Sequence, residues 1–317
     1  MIQLEGVTKR YGNLTALQDI SFQVHKNETV GLLGRNGAGK TTLLNLLTGY
    51  FPPDAGSVRI AGKNMAEEPA ACKRRIGYLP EKPPLYDEMT VESYLRFVCE
   101  LREVKKQDIR KHIGEIVSLC GLQEARTRVL GHLSKGYRQR AGIAQALCGA
   151  PEILILDEPT VGLDPEQTVE IRNLIRALST EHTVIFSSHI LSEVQQACTR
   201  VLILDEGRLV MNYDTRQPEN NVLHLQLSVA GETKQILKQI RSLNGFTDVR
   251  ELPSAEKGVT EIRAAVTAED SRGAAMDRAF RALADSGLRI RMIREEREDL
   301  EEVFLKSISG AVAEKQR

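Results

Sequence analysis

The amino-acid sequence predicts an α/β protein: a largely parallel sheet with a helical insert, followed by a small α+β domain of ferredoxin-like order. Three observations carry this. The apolar runs Thr29–Leu33, Ile153–Leu156, 183–186 and 201–204 are bounded by Gly, Pro or charged residues, as strands covered on both faces are. Helical patterns lie between them. Beyond residue 221 the style changes to strict period-two alternation.

In chain order, residues from about 82 to 150 read as mainly helical, with Leu95, Val98 and Leu101 at helical spacing and no strong strand run, which predicts an inserted helical subdomain. The polar stretch 214–221, DTRQPENN, is the best linker. It divides the chain into a domain over 1–215 and an accessory domain over 216–317. In the latter, Leu223, Leu225, Leu227 and Val229 alternate with His224, Gln226 and Ser228, and a helix follows with Ile236, Ile240 and Leu243 on one face and a stop at Asn244-Gly245. Strands are expected over about 247–252 and 259–266, then a helix carrying Met276, Phe280 and Leu283 up to Gly287, and a strand over 288–293. A terminal helix with Leu300, Val303, Phe304 and Ile308 completes the expectation.

The 317 residues are enough for two domains, and 41% hydrophobic against 27% charged residues describes ordinary globular material. No run of 18 apolar residues occurs and MIQLEGVTKRYG lacks a signal-peptide core, so a cytosolic chain that does not span a membrane is expected. Lys plus Arg equals Asp plus Glu at 43 each, which disfavours a polyanionic partner such as nucleic acid. The two nearest of the five cysteines, Cys99 and Cys120, are 21 positions apart, so no metal or redox pair can be drawn and reduced, mostly buried thiols are expected.

The sharpest chemical signal is Gly34-Arg35-Asn36-Gly37-Ala38-Gly39-Lys40-Thr41, which satisfies G-x-x-x-x-G-K-[ST] between the apolar TVGLL and the helix-like TTLLNLLTG. Glycines let the backbone N–H groups turn inward onto a phosphate, and a helix N-terminus adds its positive end. The phosphate-binding set is Gly34, Asn36, Gly37, Ala38, Gly39, Lys40, Thr41 and Thr42, with Lys40 on the β/γ-phosphates and the Thr41 hydroxyl on Mg²⁺. A second element, Ile153-Leu154-Ile155-Leu156-Asp157-Glu158, brings two carboxylates to a strand end. Asp157 is placed for the metal and Glu158 for polarising water. Taken alone, the pair could instead close a strand-end turn with Pro159, the lesser of the two readings.

Leu133-Ser134-Lys135-Gly136-Tyr137-Arg138-Gln139-Arg140 resembles the LSGGQ signature, and with it residues 1 to about 215 resemble the nucleotide-binding subunit of an ABC transporter. The resemblance implies a P-loop ABC cassette that hydrolyses ATP with Mg²⁺. It implies that Ser134 and the Gly136 backbone serve ATP held by another subunit, so the working unit is a homodimer or a pair with a similar ABC subunit. By the same resemblance Tyr11 stacks on adenine, Asp164 in Gly162-Leu163-Asp164-Pro165 belongs to the loop that communicates across the dimer, and His189 is the switch histidine beside Glu158. The other histidines, His25, His112, His132, His182 and His224, are read as structural.

Two departures stand out. Glu81 in GYLPE replaces the usual lid-loop glutamine, adding negative charge near phosphate while still offering oxygen to the metal alongside Thr41 and Asp157. Lys135 and Tyr137 replace glycine and glutamine in the signature.

The stretches IGYLPEKPPLYDEMTV, LTGYFPPDAG and EDLEEVFLKSISG resemble the ABC-2 exporter branch, including gliding-motility-type ATPases. That branch implies a separate membrane permease docked between the helical insert and the Glu81 loop, with this chain held at the cytoplasmic face of the membrane, and export as the direction. The competing class is a soluble ABC ATPase acting on ribosomes or nucleic acid, which commonly has tandem cassettes or basic or zinc-binding insertions. The accessory domain is read as a dimerisation or stability element ahead of a ligand sensor, because it carries no polar cluster or metal spacing. The run Lys73-Arg74-Arg75 is read as a solvated face or docking support.

Overall fold

A computed structural model describes residues 1–214, 222–254, 256, 258–267 and 272–296. Among these the chain divides into two compact units, one before and one after the stretch 215–221. The first runs β1 (Ile2–Tyr11), β2 (Leu14–Val24), β3 (Thr29–Leu33), α1 (Lys40–Leu47), β4 (Ala55–Ile60), β5 (Lys63–Asn64), α2 (Pro69–Arg74) and β6 (Ile76–Leu79). It continues through α3 (Val91–Leu101), α4 (Lys106–Leu119), a 3-10 turn at Leu130–His132, α5 (Lys135–Leu147), β7 (Ile153–Leu156), α6 (Pro165–Leu178), β8 (Thr183–Ser188), α7 (Leu191–Ala197), β9 (Arg200–Asp205) and β10 (Arg208–Asp214).

The central sheet has the order β10-β9-β3-β8-β7-β6, parallel except for the edge hairpin β9–β10. Every residue of β3, β7 and β8 is buried, which is why those strands read as continuous apolar runs. A second sheet, antiparallel in the order β2-β1-β4-β5, was not anticipated by the sequence reading. Its strands are half-buried, and three register shifts between β1 and β2 break the alternation that would have marked them. One apolar cluster joins Leu4, Val7, Leu17 and Ile20 of this sheet to Leu43, Leu44 and Leu47 of α1 and to Val30, Ile155 and Leu202 of the central strands. Helix α1, which begins at the phosphate loop, is thus held through its apolar face by both sheets.

Residues 82–150 carry α3, α4, the 3-10 turn and α5, with a single isolated bridge, Thr90 to Val129, as their only extended pairing among the described residues. The Thr90 hydroxyl accepts from the Ser93 N–H and caps α3. The buried stripe of α3 is Val91, Tyr94, Leu95 and Cys99. Leu101, expected on that stripe, is 67% exposed at the last position of α3.

The second unit runs β11 (Val222–Ala230), α8 (Thr233–Arg241), β12 (Phe246–Leu252), β13 (Val259–Thr267), α9 (Arg272–Asp285) and β14 (Arg289–Glu296). Its sheet has the antiparallel order β12-β13-β11-β14. Leu225, Leu227 and Val229 pack with Ile236 and Ile240 of α8 and Ala275, Ala279 and Leu283 of α9. Phe280, expected on the inner face of α9, is 55% exposed; Ala275, Ala279 and Leu283 take that face. Of the linker expected over 214–221, Asp214 instead closes β10, and 215–221, like the expected terminal helix with Leu300, Val303, Phe304 and Ile308, lie outside the described residues. Among the described residues no helix is long and apolar enough to cross a membrane, and all five cysteines are buried free thiols.

Candidate active site

The loop between β3 and α1 needs glycine at two places for reasons of space. A Cβ on Gly34 would lie 2.5 Å from the Leu204 carbonyl oxygen, and one on Gly39 would lie 2.7 Å from that of Ala16, with Gly39 already at φ +104°. Behind the loop, the Gly207 N–H donates to the Ala38 carbonyl (3.0 Å) and the Gln18 N–H to that of Gly207 (2.8 Å). Gly39 caps α1 without a side-chain hydrogen bond, and the first turn holds no acidic residue. Its N–H groups are therefore left for an external anion.

Lys40, 7% exposed, curls back so that Nζ donates to the carbonyls of Gly34 (2.7 Å) and Arg35 (3.3 Å) and stands 3.3 Å from Oε1 of Glu158. Glu158 follows β7 at φ +46°, in the left-handed region that a non-glycine residue adopts uncommonly. It is tied to Ser187 of β8, whose hydroxyl accepts from the Glu158 N–H (2.7 Å) while donating to Asp157 Oδ1 (2.6 Å). Nδ1 of His189, just beyond β8, lies 2.9 Å from Oε2 of Glu158.

Asp157 is 1% exposed, and among the described residues its Oδ2 has no hydrogen-bond partner. Burial pushes its carboxyl above the usual range; hydrogen bonds from Ser187 and Thr41 oppose this, and the charges of Glu158 and Glu81 reinforce it. An orphaned buried carboxylate oxygen beside a hydroxyl and within the field of a further carboxylate is an oxygen-donor set that suits a hard divalent cation. Thr41, Asp157 and Glu81 thus fit Mg²⁺. Glu81 itself is exposed, beyond β6, the strand that pairs with β7.

The signature residues form their own cluster. Ser134 is the N-cap of α5, accepting from the Tyr137 N–H, and Gly136 is buried beneath Gln167, which a Cβ at 136 would meet at 2.7 Å. Asp164 caps α6 by accepting from the Gln167 N–H at 2.8 Å. The Lys135 ammonium lies directly over Gly162, which is in the left-handed region at φ +66°.

At the end of β1, Tyr11 is 46% exposed and meets Phe51 edge-on, with ring centroids 5.9 Å apart. Lys9 bonds Pro52 O and Asp54 Oδ1 and sits 5.3 Å from the Phe51 ring. Of the remaining histidines, Nδ1 of His182 lies 2.8 Å from the Pro151 carbonyl oxygen and Nε2 of His112 accepts from the Gly149 N–H, both scaffold contacts.

The structure therefore brings Lys40, Thr41, Asp157, Glu158 and His189 together and leaves Ser134, Gly136 and Asp164 around the N-termini of α5 and α6. Sequence reasoning missed Ser187, although a Ser-Ser pair closing the otherwise apolar TVIFSS was a usable signal. It also missed Phe51 and Asp54, which nothing in the sequence ties to Tyr11.

The ABC transporter family model matches residues 17–161. The uncharacterized ABC transporter ATP-binding protein YxlF of Bacillus subtilis is 33% identical over 97% of this chain and 99% of its own. The bacitracin transport ATP-binding protein BcrA of Bacillus licheniformis is 32% identical over 98% of each chain. Among solved structures, the dimeric bacterial ABC transporter cassette MJ0796 is 25% identical with a TM-score of 0.63, covering 68% of this chain and 100% of that one. A phosphate loop, a buried carboxylate pair and a matching signature, together with relatives that extend over almost the whole chain, establish that this protein belongs to the ATP-binding subunits of ABC transporters and is an ATPase of that family.

Proposed function

We propose that the chain is the ATP-driven subunit of an exporter, bound at the cytoplasmic face of the membrane to a separate permease and working as a homodimer or with a similar ABC subunit. The carrying observation is the convergence of Lys40 and His189 on the Glu158 carboxylate, with Ser187 bridging the Glu158 N–H to Asp157. In this reading the N–H groups of 34–42 and the Lys40 ammonium bind the phosphates of ATP. Thr41, Asp157 and Glu81 would hold Mg²⁺, which would supply positive charge against the phosphate oxygens.

Phosphate entering the loop competes with Glu158 for Lys40. Once Lys40 turns to phosphate, Oε1 of Glu158 is free to take a proton from water, while His189 keeps Oε2 in place. Ser134 and Gly136 present the α5 N-terminus to ATP on the second subunit, and Asp164 shapes the adjoining loop. Closure on binding and reopening after hydrolysis drive the permease. Likeness to a bacitracin transport subunit over both chains supports export; cargo contact belongs to the permease. The residues beyond 221 serve dimerisation or stability.

The test is purification of tagged Glu158→Gln from its native host in mild detergent with Mg-ATP. Recovery of a multi-spanning membrane protein is expected. Recovery of ribosomes or nucleic-acid proteins, with no membrane protein, overturns the assignment. Deleting residues 222–317 should lower dimer stability and leave the ATPase rate insensitive to added ligands.

A further inference from the structure

Glu193 is a buried carboxylate that the mechanism above does not use. It lies in α7, 7% exposed. One of its oxygens, Oε2, accepts from the Thr160 hydroxyl at 2.7 Å and from the Ser188 hydroxyl at 2.8 Å. Thr160 stands two residues beyond Glu158 and Ser188 one residue before His189. Both hydroxyls are buried, at 9% and 1% exposure, and Ser188 Oγ also accepts from the Ile190 N–H at 3.0 Å.

Taking a carboxylate out of water costs several kcal/mol, more than two hydroxyl donors return, so packing alone would favour an apolar residue here. What the carboxylate supplies is a common anchor for two chain segments that leave neighbouring strands. Those segments carry Glu158 and His189, whose side chains meet at 2.9 Å. Glu158 is also in the left-handed region at φ +46°, uncommon for a residue with a side chain, and its chain is bonded on both sides. Ser187 pins it at its own N–H, and Thr160 pins the chain just beyond.

We infer that Glu193 is a positioning residue that fixes Glu158 and His189 relative to each other through Thr160 and Ser188. The inference rests on the reading of Glu158 as the base. Small misplacements of a catalytic group cost up to about 100-fold in rate, so an effect on turnover without an effect on nucleotide binding is the expected signature.

The test uses the full chain and a double-mutant cycle. Glu193→Gln should lower kcat by about 10- to 100-fold, with the Kd for a non-hydrolysable ATP analogue unchanged within about twofold. In a Glu158→Gln background, followed by single-turnover phosphate release, it should cause no further loss. An equal fold-loss in both backgrounds, or a parallel loss of analogue binding, would mean a structural role and overturn the inference. Thr160→Val and Thr160→Ser give an independent arm: the first should copy Glu193→Gln and the second should keep turnover, and equal behaviour of the two refutes the link even if Glu193→Gln does not fold. Near wild-type turnover in Glu158→Gln alone would sink the base assignment, whereas an inactive Glu158→Gln beside a fully active Glu193→Gln would sink only the positioning role.

Discussion

Nζ of Lys40 stands 3.3 Å from Oε1 of Glu158, with both side chains almost wholly withdrawn from solvent. In the proposed function, the ammonium that would bind phosphate therefore neutralises the carboxylate that would activate water. Lys40→Ala removes both partnerships. A charge-assisted hydrogen bond contributes about 1.5–3 kcal/mol, so ATP affinity should fall by roughly 10- to 150-fold, read by titration with a fluorescent ATP analogue. Unchanged affinity would mean that Lys40 points away from the nucleotide.

Glu158→Gln keeps the size of the side chain and loses its proton affinity. Turnover should drop by about 100- to 10,000-fold while ATP still binds. Light scattering after gel filtration in Mg-ATP should then show a dimer that wild-type protein holds only transiently.

Asp157→Asn should make the nucleotide-free protein more stable and inactive. The native carboxyl keeps its proton to a higher pH than the unfolded chain does, so its contribution to stability is full below the ordinary aspartate range and is lost as pH rises through the raised value. Above the ordinary aspartate range the wild type bears this cost and the asparagine variant does not. Thermal melts should show the variant ahead at neutral pH, with the gap closing on acidification. A gap that does not move with pH would contradict the burial argument. Adding Mg-ATP should stabilise the wild type preferentially.

Tyr11→Ala removes the ring that Phe51 holds edge-on. Stacking on a base contributes about 1–3 kcal/mol, so KM for ATP should rise at least about fivefold. Inhibition by tripolyphosphate, which has no base, should stay the same. A parallel change in both would place Tyr11 in the scaffold.

Gly77→Ala tests the packing beneath the lid loop. A Cβ there would lie 2.0 Å from the Ala146 carbonyl oxygen, which belongs to the backbone of α5 and cannot step aside. Overpacking of this kind costs about 1–3 kcal/mol or more, and chemical denaturation should show it. Full tolerance would mean that β6 and α5 lie farther apart.

The phosphate loop and the carboxylate pair were legible because phosphate and metal chemistry restrict which residues can serve, and because β3 and β7, buried on both faces, announce themselves as apolar runs. The antiparallel sheet was not, since half-burial and three register shifts leave β1 and β2 without a clean period. Phe280 and Leu101 misled for one reason: hydrophobicity was taken for burial, whereas Ala275, Ala279 and Cys99 hold the positions that helix geometry turns inward. Ser187 and Glu193 act between strands, and pairings 30 or more positions apart, such as Thr160 with Glu193, leave no local trace.

The backing of the phosphate loop has a thermodynamic meaning. Gly34 and Gly39 press against carbonyl groups of Leu204 and Ala16, and Gly207 bonds Ala38 from behind, so the mould is cast before any nucleotide arrives. A loop that is already ordered loses little entropy on filling, and nearly all of its contact energy remains for gripping phosphate. Affinity here is set by the far side of the loop as much as by the side that touches the ligand.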